Sequence, residues 1–207
     1  MTYRKIPDET VRRLPVYLRG LVFLSEQGRQ NMSSGDLADF VNVKASQIRK
    51  DFSYFGAFGT SGFGYVIDKL ITQIRKILKL GFVRKAALVG VGNLGSAVLA
   101  YPGFKMYSFD ISAAFDNDPK KIGKKIDNVL IEDISKVPAL KKRKINLAII
   151  AVPPNAAQQT ADSLVEAGVK GILNFSPLRI AVPKKVKVIT VDIAMELARL
   201  PFYMPGT

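Results

Sequence analysis

Gly90, Gly92 and Gly95 stand in the order G-x-G-x-x-G inside AALVGVGNLGSAVLA, residues 86–100. Glycines at this spacing can do one piece of chemistry: they bring backbone N–H groups against a phosphate. Gly90 permits a tight turn, Gly92 lets the backbone approach a pyrophosphate, and Gly95 lets a helix pack closely on the preceding strand. The helix N-terminus adds N–H donors and a positive dipole end. Gly90, Val91, Gly92, Asn93, Leu94 and Gly95 together form the candidate cradle. The pattern alone is common, and its place between an apolar run and a helix is what gives it meaning.

Asp116 follows Gly95 by 21 residues, at the end of the next apolar run. An acid at this position accepts hydrogen bonds from the adenosine ribose hydroxyls and repels a 2′-phosphate. The spacing predicts a site for NAD(H) rather than NADP(H), with Lys120 and Lys121 near enough to soften the preference. A close-packed strand–turn–helix without a ligand is the bland alternative.

Hydride chemistry on a substrate normally needs a group that gives or takes a proton. The chain has neither His nor Cys, which also removes the commonest metal ligands and every disulfide. Two Tyr-x-x-x-Lys pairs occur, Tyr65…Lys69 and Tyr101…Lys105. The first precedes the glycine motif, and the second encloses Pro102 and Gly103, which break the helical turn that would align it. Both read as chance, so the site lacks the groups of a dehydrogenase.

A second constellation lies upstream. On a helix from about Lys44 to Tyr54, Gln47, Arg49 and Lys50 can reach a groove of DNA, with Ser46 and Lys44 near the helix start. Arg pairs bidentately with guanine, Gln with adenine, and Lys with phosphate or guanine. A solvated charged helix face is the competing reading, and three polar side chains alone would favour it. The elements around them shift the balance. Residues 8–27 carry Val11, Leu14, Leu18, Leu21, Val22 and Leu24 at helical spacing, with Asp8 placed to cap the start, Gly28 to end it, and Pro15 to bend or divide it. SSGDLADFVNV predicts a second helix capped by Ser33 or Ser34. With the third helix it reads as a helix-turn-helix over about 17–56. GAFGTSGFGYVI has the composition of a hairpin, which here would be a wing. An amphipathic helix over about 66–80 then closes one unit near residue 82.

From residue 84 strands alternate with helices, which implies a parallel sheet with crossovers. The expected strands are 86–91, 106–115, 147–152, 171–175 and 186–191, with a weaker one at 129–131. The expected helices include 155–167 and a last one over about 192–200. The fold class is α/β: an N-terminal winged helix-turn-helix and a C-terminal Rossmann-type doubly wound sheet. The boundaries are 1–82, 83–191 and a C-terminal segment 192–207.

The formal net charge is +14, which favours a polyanionic partner. It does not locate one, because residues 1–84 hold 14 basic and 7 acidic residues while 85–207 hold 17 and 10. MTYRKIPDETVRRL lacks the apolar stretch of a signal peptide, and no apolar run approaches the ~18 residues that span a bilayer. A cytoplasmic location, with no membrane or metal partner, is the default.

The combination resembles the redox-sensing transcriptional repressor family, Rex, over essentially the whole chain. QIRKDFSYFGAFG, GVGNLGSAV, YPGF, AFDNDPKKIG, GVKGILNFSP and VDIAMEL carry the likeness. The resemblance implies a homodimer that binds a palindromic operator in its apo or NAD⁺-bound form and releases it when NADH binds. It implies a C-terminal helix swapped into the partner, beside the partner's cofactor and DNA-binding domain. Gly90 to Gly95 and Asp116 would hold the dinucleotide, and Pro153 and Asn174 would line the nicotinamide half. Arg19, Tyr101 and Asp192 match the family's switch group, with Asp192 pairing with Arg19 in one state and turning towards Tyr101 in the other. Asp192 is also a natural N-cap for the last helix. Two departures stand out. Thr60-Ser61 replaces the basic residue common in the wing, which puts a minor-groove contact there in doubt. Ile193 takes a place where some members carry an aromatic residue against the nicotinamide. A small NAD-dependent oxidoreductase with an N-terminal dimerisation module is the main alternative reading. A CoA-binding protein on a similar glycine turn is a third.

Overall fold

A computed structural model describes residues 6–56, 58–59 and 64–204. The chain divides into two compact units, Met1–Phe82 and Val83–Thr207. Thr60 and Ser61, where a wing contact was in question, lie outside the described residues.

In the first unit α1 spans Asp8–Glu26, β1 Asn31–Met32, α2 Ser34–Val41, α3 Ala45–Ser53, β2 Tyr65–Val66 and α4 Ile67–Ile77. Pro15 does not divide α1, which runs through it as one element. The face that carries Leu14, Tyr17, Leu18, Leu21 and Leu24 is buried, and that burial offsets the ~3 kcal/mol a helix-interior proline costs. Pro7, not Asp8, occupies the N-cap position, and Asp8 sits in the first turn where the helix dipole favours an acid. Gly28, at φ +79, ends the helix: its N–H reaches the Ser25 carbonyl at 2.9 Å and Arg29 N–H reaches Leu24 at 3.2 Å. Ser33 caps α2 in a reciprocal box, accepting from Asp36 N–H while its own N–H donates to Asp36 Oδ2 at 2.7 Å. β1 and β2 pair antiparallel, Asn31 opposite Val66 and Met32 opposite Tyr65. The second arm of the expected hairpin therefore pairs back with the chain ahead of α2. Leu37, Ile48, Phe52, Ile67, Leu70 and Ile74 close the core against α1.

In the second unit the strands are β3 (Arg84–Val89), β4 (Phe109–Asp116), β5 (Lys125–Ile126), β6 (Val129–Asp133), β7 (Leu147–Ile150), β8 (Gly171–Asn174) and β9 (Lys187–Thr190). They lie in the order β5-β6-β4-β3-β7-β8-β9, all parallel except the antiparallel edge strand β5. Counting only the parallel strands in chain order, this is 3-2-1-4-5-6, the doubly wound Rossmann order. The helices are α5 (Asn93–Ala100), α6 (Gly103–Met106), α7 (Pro154–Glu166) and α8 (Ile193–Ala198), with 3₁₀ segments at Ile134–Leu140 and Leu200–Tyr203. Ala87, Val89, Phe115 and Ile150 face one core with Ala161 and Leu164 of α7; Leu88, Ala114 and Ile149 face the other with Val98 and Leu99 of α5.

Two local features differ from the sequence expectation. β4 begins at Phe109 instead of 106, because Gly103–Met106 winds into a helical turn. β5 and β6 form a hairpin over Asp127 and Asn128, whose φ values of 45 and 66 are those of a type I′ turn.

Candidate dinucleotide site and DNA-reading helix

The glycine loop joins β3 to α5 at the switch point of the sheet, where β3 lies between β4 and β7. Its three glycines answer to three different pressures. Gly90 has φ +92, and a Cβ there would meet the Ala151 carbonyl oxygen at 2.5 Å. At Gly95 a Cβ would run into the carbonyl oxygen of Gly90, so helix and turn can approach only through glycine. Gly92 is under no such pressure: its φ is −81, and an added Cβ would have nothing within 4 Å. The backbone tolerates any residue at Gly92, and the glycine instead leaves open the space over the α5 N-terminus, which no side chain caps. That is the cradle a dinucleotide pyrophosphate fits.

Asp116 ends β4 and is buried, 6% exposed. Its Oδ2 accepts Val91 N–H at 2.7 Å and Lys121 Nζ at 3.1 Å, and its Oδ1 accepts Asp118 N–H at 2.9 Å. Burial pushes its carboxyl up, but these donors outweigh burial and hold it below the usual carboxylate range. Of about four lone-pair positions on a carboxylate, three are taken. One remains, so the acid braces the loop and still has room to accept one further donor.

Pro153 is exposed at the head of α7, just past the C-terminal end of β7. Asn174, expected to line the nicotinamide half, ends β8. It is 0% exposed, and its amide donates to the carbonyls of Ser176 and Leu178 at 3.1 and 2.9 Å, while its Oδ1 accepts Ser176 N–H at 3.0 Å. A buried amide must satisfy both ends, and here it does so by shaping the loop that follows. That loop holds a group the sequence reading missed. Ser176 Oγ is buried and finds no hydrogen-bond partner among the described residues. This hydroxyl beside the strand ends is open to a further hydrogen bond, and no sequence spacing would have pointed to it.

Tyr101, the C-cap of α5, is 60% exposed; its ring lies over Gly103 and edge-on to Phe104, at 5.5 Å between centroids. Lys105 reaches Asp127 Oδ2 at 3.7 Å, and Tyr65 lies in β2 while Lys69 lies in α4, so neither Tyr/Lys pair is aligned on a helical turn. Asp192 caps α8 and accepts Met195 N–H at 3.1 Å. Ile193 follows it, 63% exposed. Arg19 is exposed on α1 of the first unit. Among the described residues no group of three His, Cys, Asp or Glu could hold a metal ion, and no helix is long and apolar enough to cross a membrane.

On α3 the expected readers separate. Ser46, Arg49, Lys50 and Ser53 are exposed, and at 100° per residue they share one face. Ser53 belongs to that face although the sequence reading left it out. Arg49 Nη1 donates to Ser34 Oγ at 2.7 Å. Lys44 is exposed at the N-cap position. Gln47 points the other way: its Nε2 donates to Asp51 Oδ1 at 2.8 Å. That bond engages the amide expected to read a base.

Family models match both units: "Putative DNA-binding protein N-terminus" over residues 5–53 and "CoA binding domain" over 83–178. The chain is 46% identical over 200 residues to a redox-sensing transcriptional repressor Rex of Halalkalibacterium halodurans, covering 97% of this chain and 95% of that one. It is 44% identical to the Rex of Lactobacillus gasseri, with 97% and 94% covered. The chain belongs to the Rex family of redox-sensing transcriptional repressors. Among solved structures, the Rex-family repressor RSP in complex with β-NAD⁺ and operator DNA is 35% identical with a TM-score of 0.91, covering 97% of this chain and 93% of that one. RSP in complex with β-NADH matches with a TM-score of 0.88. Members of the Rex family carry the name of transcriptional repressors, not of catalysts, in keeping with a glycine cradle that has no His or Cys anywhere in the chain.

Proposed function

We propose that this chain is a homodimeric repressor that holds a palindromic operator through α3 and lets go when NADH fills the cradle over α5. The observation that carries the reading is Gly92. Nothing in the fold requires glycine there, which supports a ligand over the α5 N-terminus, while the same chain presents Arg49 and Lys50 on an exposed helix face. Asp116 supports NAD(H) over NADP(H), and it disfavours the 3′-phosphate of CoA for the same electrostatic reason. RSP, so similar in structure, is known with each of the three ligands this reading needs: β-NAD⁺, β-NADH and operator DNA. A two-fold dimer on a palindrome is the geometry by which a helix-turn-helix reads two half-sites. The C-terminal segment supports the dimer. Ile193, Met195, Leu197, Phe202 and Tyr203 are all exposed, an apolar stretch that the partner would cover if the helix is swapped. A chromosomal target puts the protein in the cytoplasm.

The switch rests on differential affinity, since a ligand that binds both dimer arrangements equally shifts nothing. Oxidised and reduced nicotinamide differ by a positive charge and by ring planarity. In this reading Asp192 is the carboxylate that senses that difference, exchanging between Arg19 and Tyr101, with Pro153, Asn174 and Ser176 lining the nicotinamide half and Ile193 packing on it.

The test is a titration. A fluorescent duplex selected by the protein from a randomised pool is bound at fixed salt, because the affinity is salt-dependent, and NADH or NAD⁺ is added. Release by NADH and not by NAD⁺ is expected. Failure to enrich any duplex, together with turnover of NADH on a carbonyl substrate, would favour the oxidoreductase instead.

A further inference from the structure

One buried carboxylate joins the DNA-reading helix to α1. Asp51 is 0% exposed and accepts five hydrogen bonds. Three side chains of α1 supply four of them: Thr10 Oγ1 at 3.0 Å, Arg13 Nε and Nη2 at 2.6 and 2.8 Å, and Tyr17 OH at 2.6 Å. Gln47, one turn back on α3, supplies the fifth. The cluster sits opposite the face that carries Ser46, Arg49, Lys50 and Ser53, and Phe52 flanks it with its ring edge-on to Tyr17 at 5.5 Å.

Adhesion alone does not call for such a cluster. Apolar residues of similar volume hold two helices together at least as well as a buried ion pair does. Five directional bonds on one carboxylate do something an apolar contact cannot: they fix the rotation and the register of α3 against α1. α1 also carries Arg19, the residue of the first unit that the proposed switch engages.

We propose that Asp51 is a positioning residue for operator recognition. It locks the reading face of α3 at one angle on α1 and passes a movement of α1 undiminished to the DNA. The proposal rests on reading the first unit as the DNA-binding unit.

The experiment compares the full-length wild type with Asp51→Asn, Tyr17→Phe and Gln47→Ala. The readouts are thermal melting, affinity for the duplex selected by the wild type, and affinity for a random duplex, all at one salt concentration. The expected result is a loss of specificity: folded Asp51→Asn binds the selected duplex ~10-fold or more weakly, the scale of one lost base contact, while random-duplex affinity is unchanged. Tyr17→Phe and Gln47→Ala, which keep most of the cluster, show smaller losses of the same kind and carry the test if Asp51→Asn does not fold. If all folded variants keep the wild-type ratio of selected to random affinity, Asp51 is only adhesive and the proposal falls. A changed base preference at one operator position in Gln47→Ala would also overturn it, since Gln47 would then read DNA. A wild type that prefers no duplex would fail the DNA-binding reading itself, which separates that failure from this one.

Discussion

Asp116 Oδ2 accepts the N–H of Val91 at 2.7 Å, so the acid that ends β4 and the loop that follows β3 are one bonded unit. Lys121 shares that oxygen and stands 3.9 Å from Asp118 Oδ2, a lysine between two acids at the edge of the proposed ribose site. In the proposed site its ammonium would compensate the charge that repels a 2′-phosphate. Lys121→Met is therefore expected to sharpen the choice of cofactor. The ratio of NADPH to NADH dissociation constants, by calorimetry, rises roughly tenfold, the scale of one charge a few ångströms away at a half-buried site. An unchanged ratio would confine Lys121 to bracing the loop.

The three glycines separate stability from binding. Gly92→Ala meets open space at an ordinary φ, so its melting temperature matches the wild type while NADH affinity is lost. Gly95→Ala drives a methyl into the Gly90 carbonyl and lowers stability by ~1–3 kcal/mol or more, whatever the ligand. Melting curves with and without NADH distinguish the two. A Gly92→Ala variant that binds NADH normally would remove the cradle from the account.

Much of this was legible in the sequence because it is local. The glycine turn, the Ser33 box with Asp36 and the stop at Gly28 are each encoded within a few residues. Asp116 was legible because Rossmann strands impose a fixed spacing on it. The bonds that engage Gln47 and Asn174 were not. Gln47 has the right type for reading adenine and sits near the right face. Its partner Asp51 is buried only because Thr10, Arg13 and Tyr17, 34 to 41 residues away, close over it. The Asn174 amide is likewise claimed by a loop whose course appears only in the fold. The Asp127-Asn128 turn was readable in principle, since two successive residues that tolerate positive φ mark a hairpin.

Acid should loosen α1 from α3. Burial pushes Asp51 up, but the bonds from Arg13, Tyr17, Gln47 and Thr10 outweigh it and hold the carboxyl at about 2. The folded value lies below the unfolded one, so the stabilisation is fully present above the ordinary carboxylate range near 4 and drains away as pH falls towards 2. It amounts to roughly 2 kcal/mol. Hydrogen-exchange protection of the α3 amides, corrected for intrinsic rates, is expected to fall across that window in the wild type and to stay flat in Asp51→Asn. Equal profiles would take Asp51 out of the acid response.

Asp192 has an observed cap and a proposed switch role to separate. Asp192→Ala removes both the charge and the cap on α8, the latter worth ~1 kcal/mol, while Asp192→Asn keeps a good cap and removes only the charge. Both variants should retain dinucleotide binding, and both should blunt NADH-driven release of operator. A normal NADH response in Asp192→Asn would leave Asp192 as a helix cap and nothing more.

NADH acts as a signal only if it and the operator are linked ligands. Two ligands coupled through one protein must each weaken the other by the same factor. NADH affinity measured with and without saturating operator duplex tests this most directly. NADH should bind the operator complex more weakly than the free protein, by the same factor by which NADH weakens operator binding, and NAD⁺ should show no such loss. Equal NADH affinity in the two states would contradict the account, however tightly NADH binds.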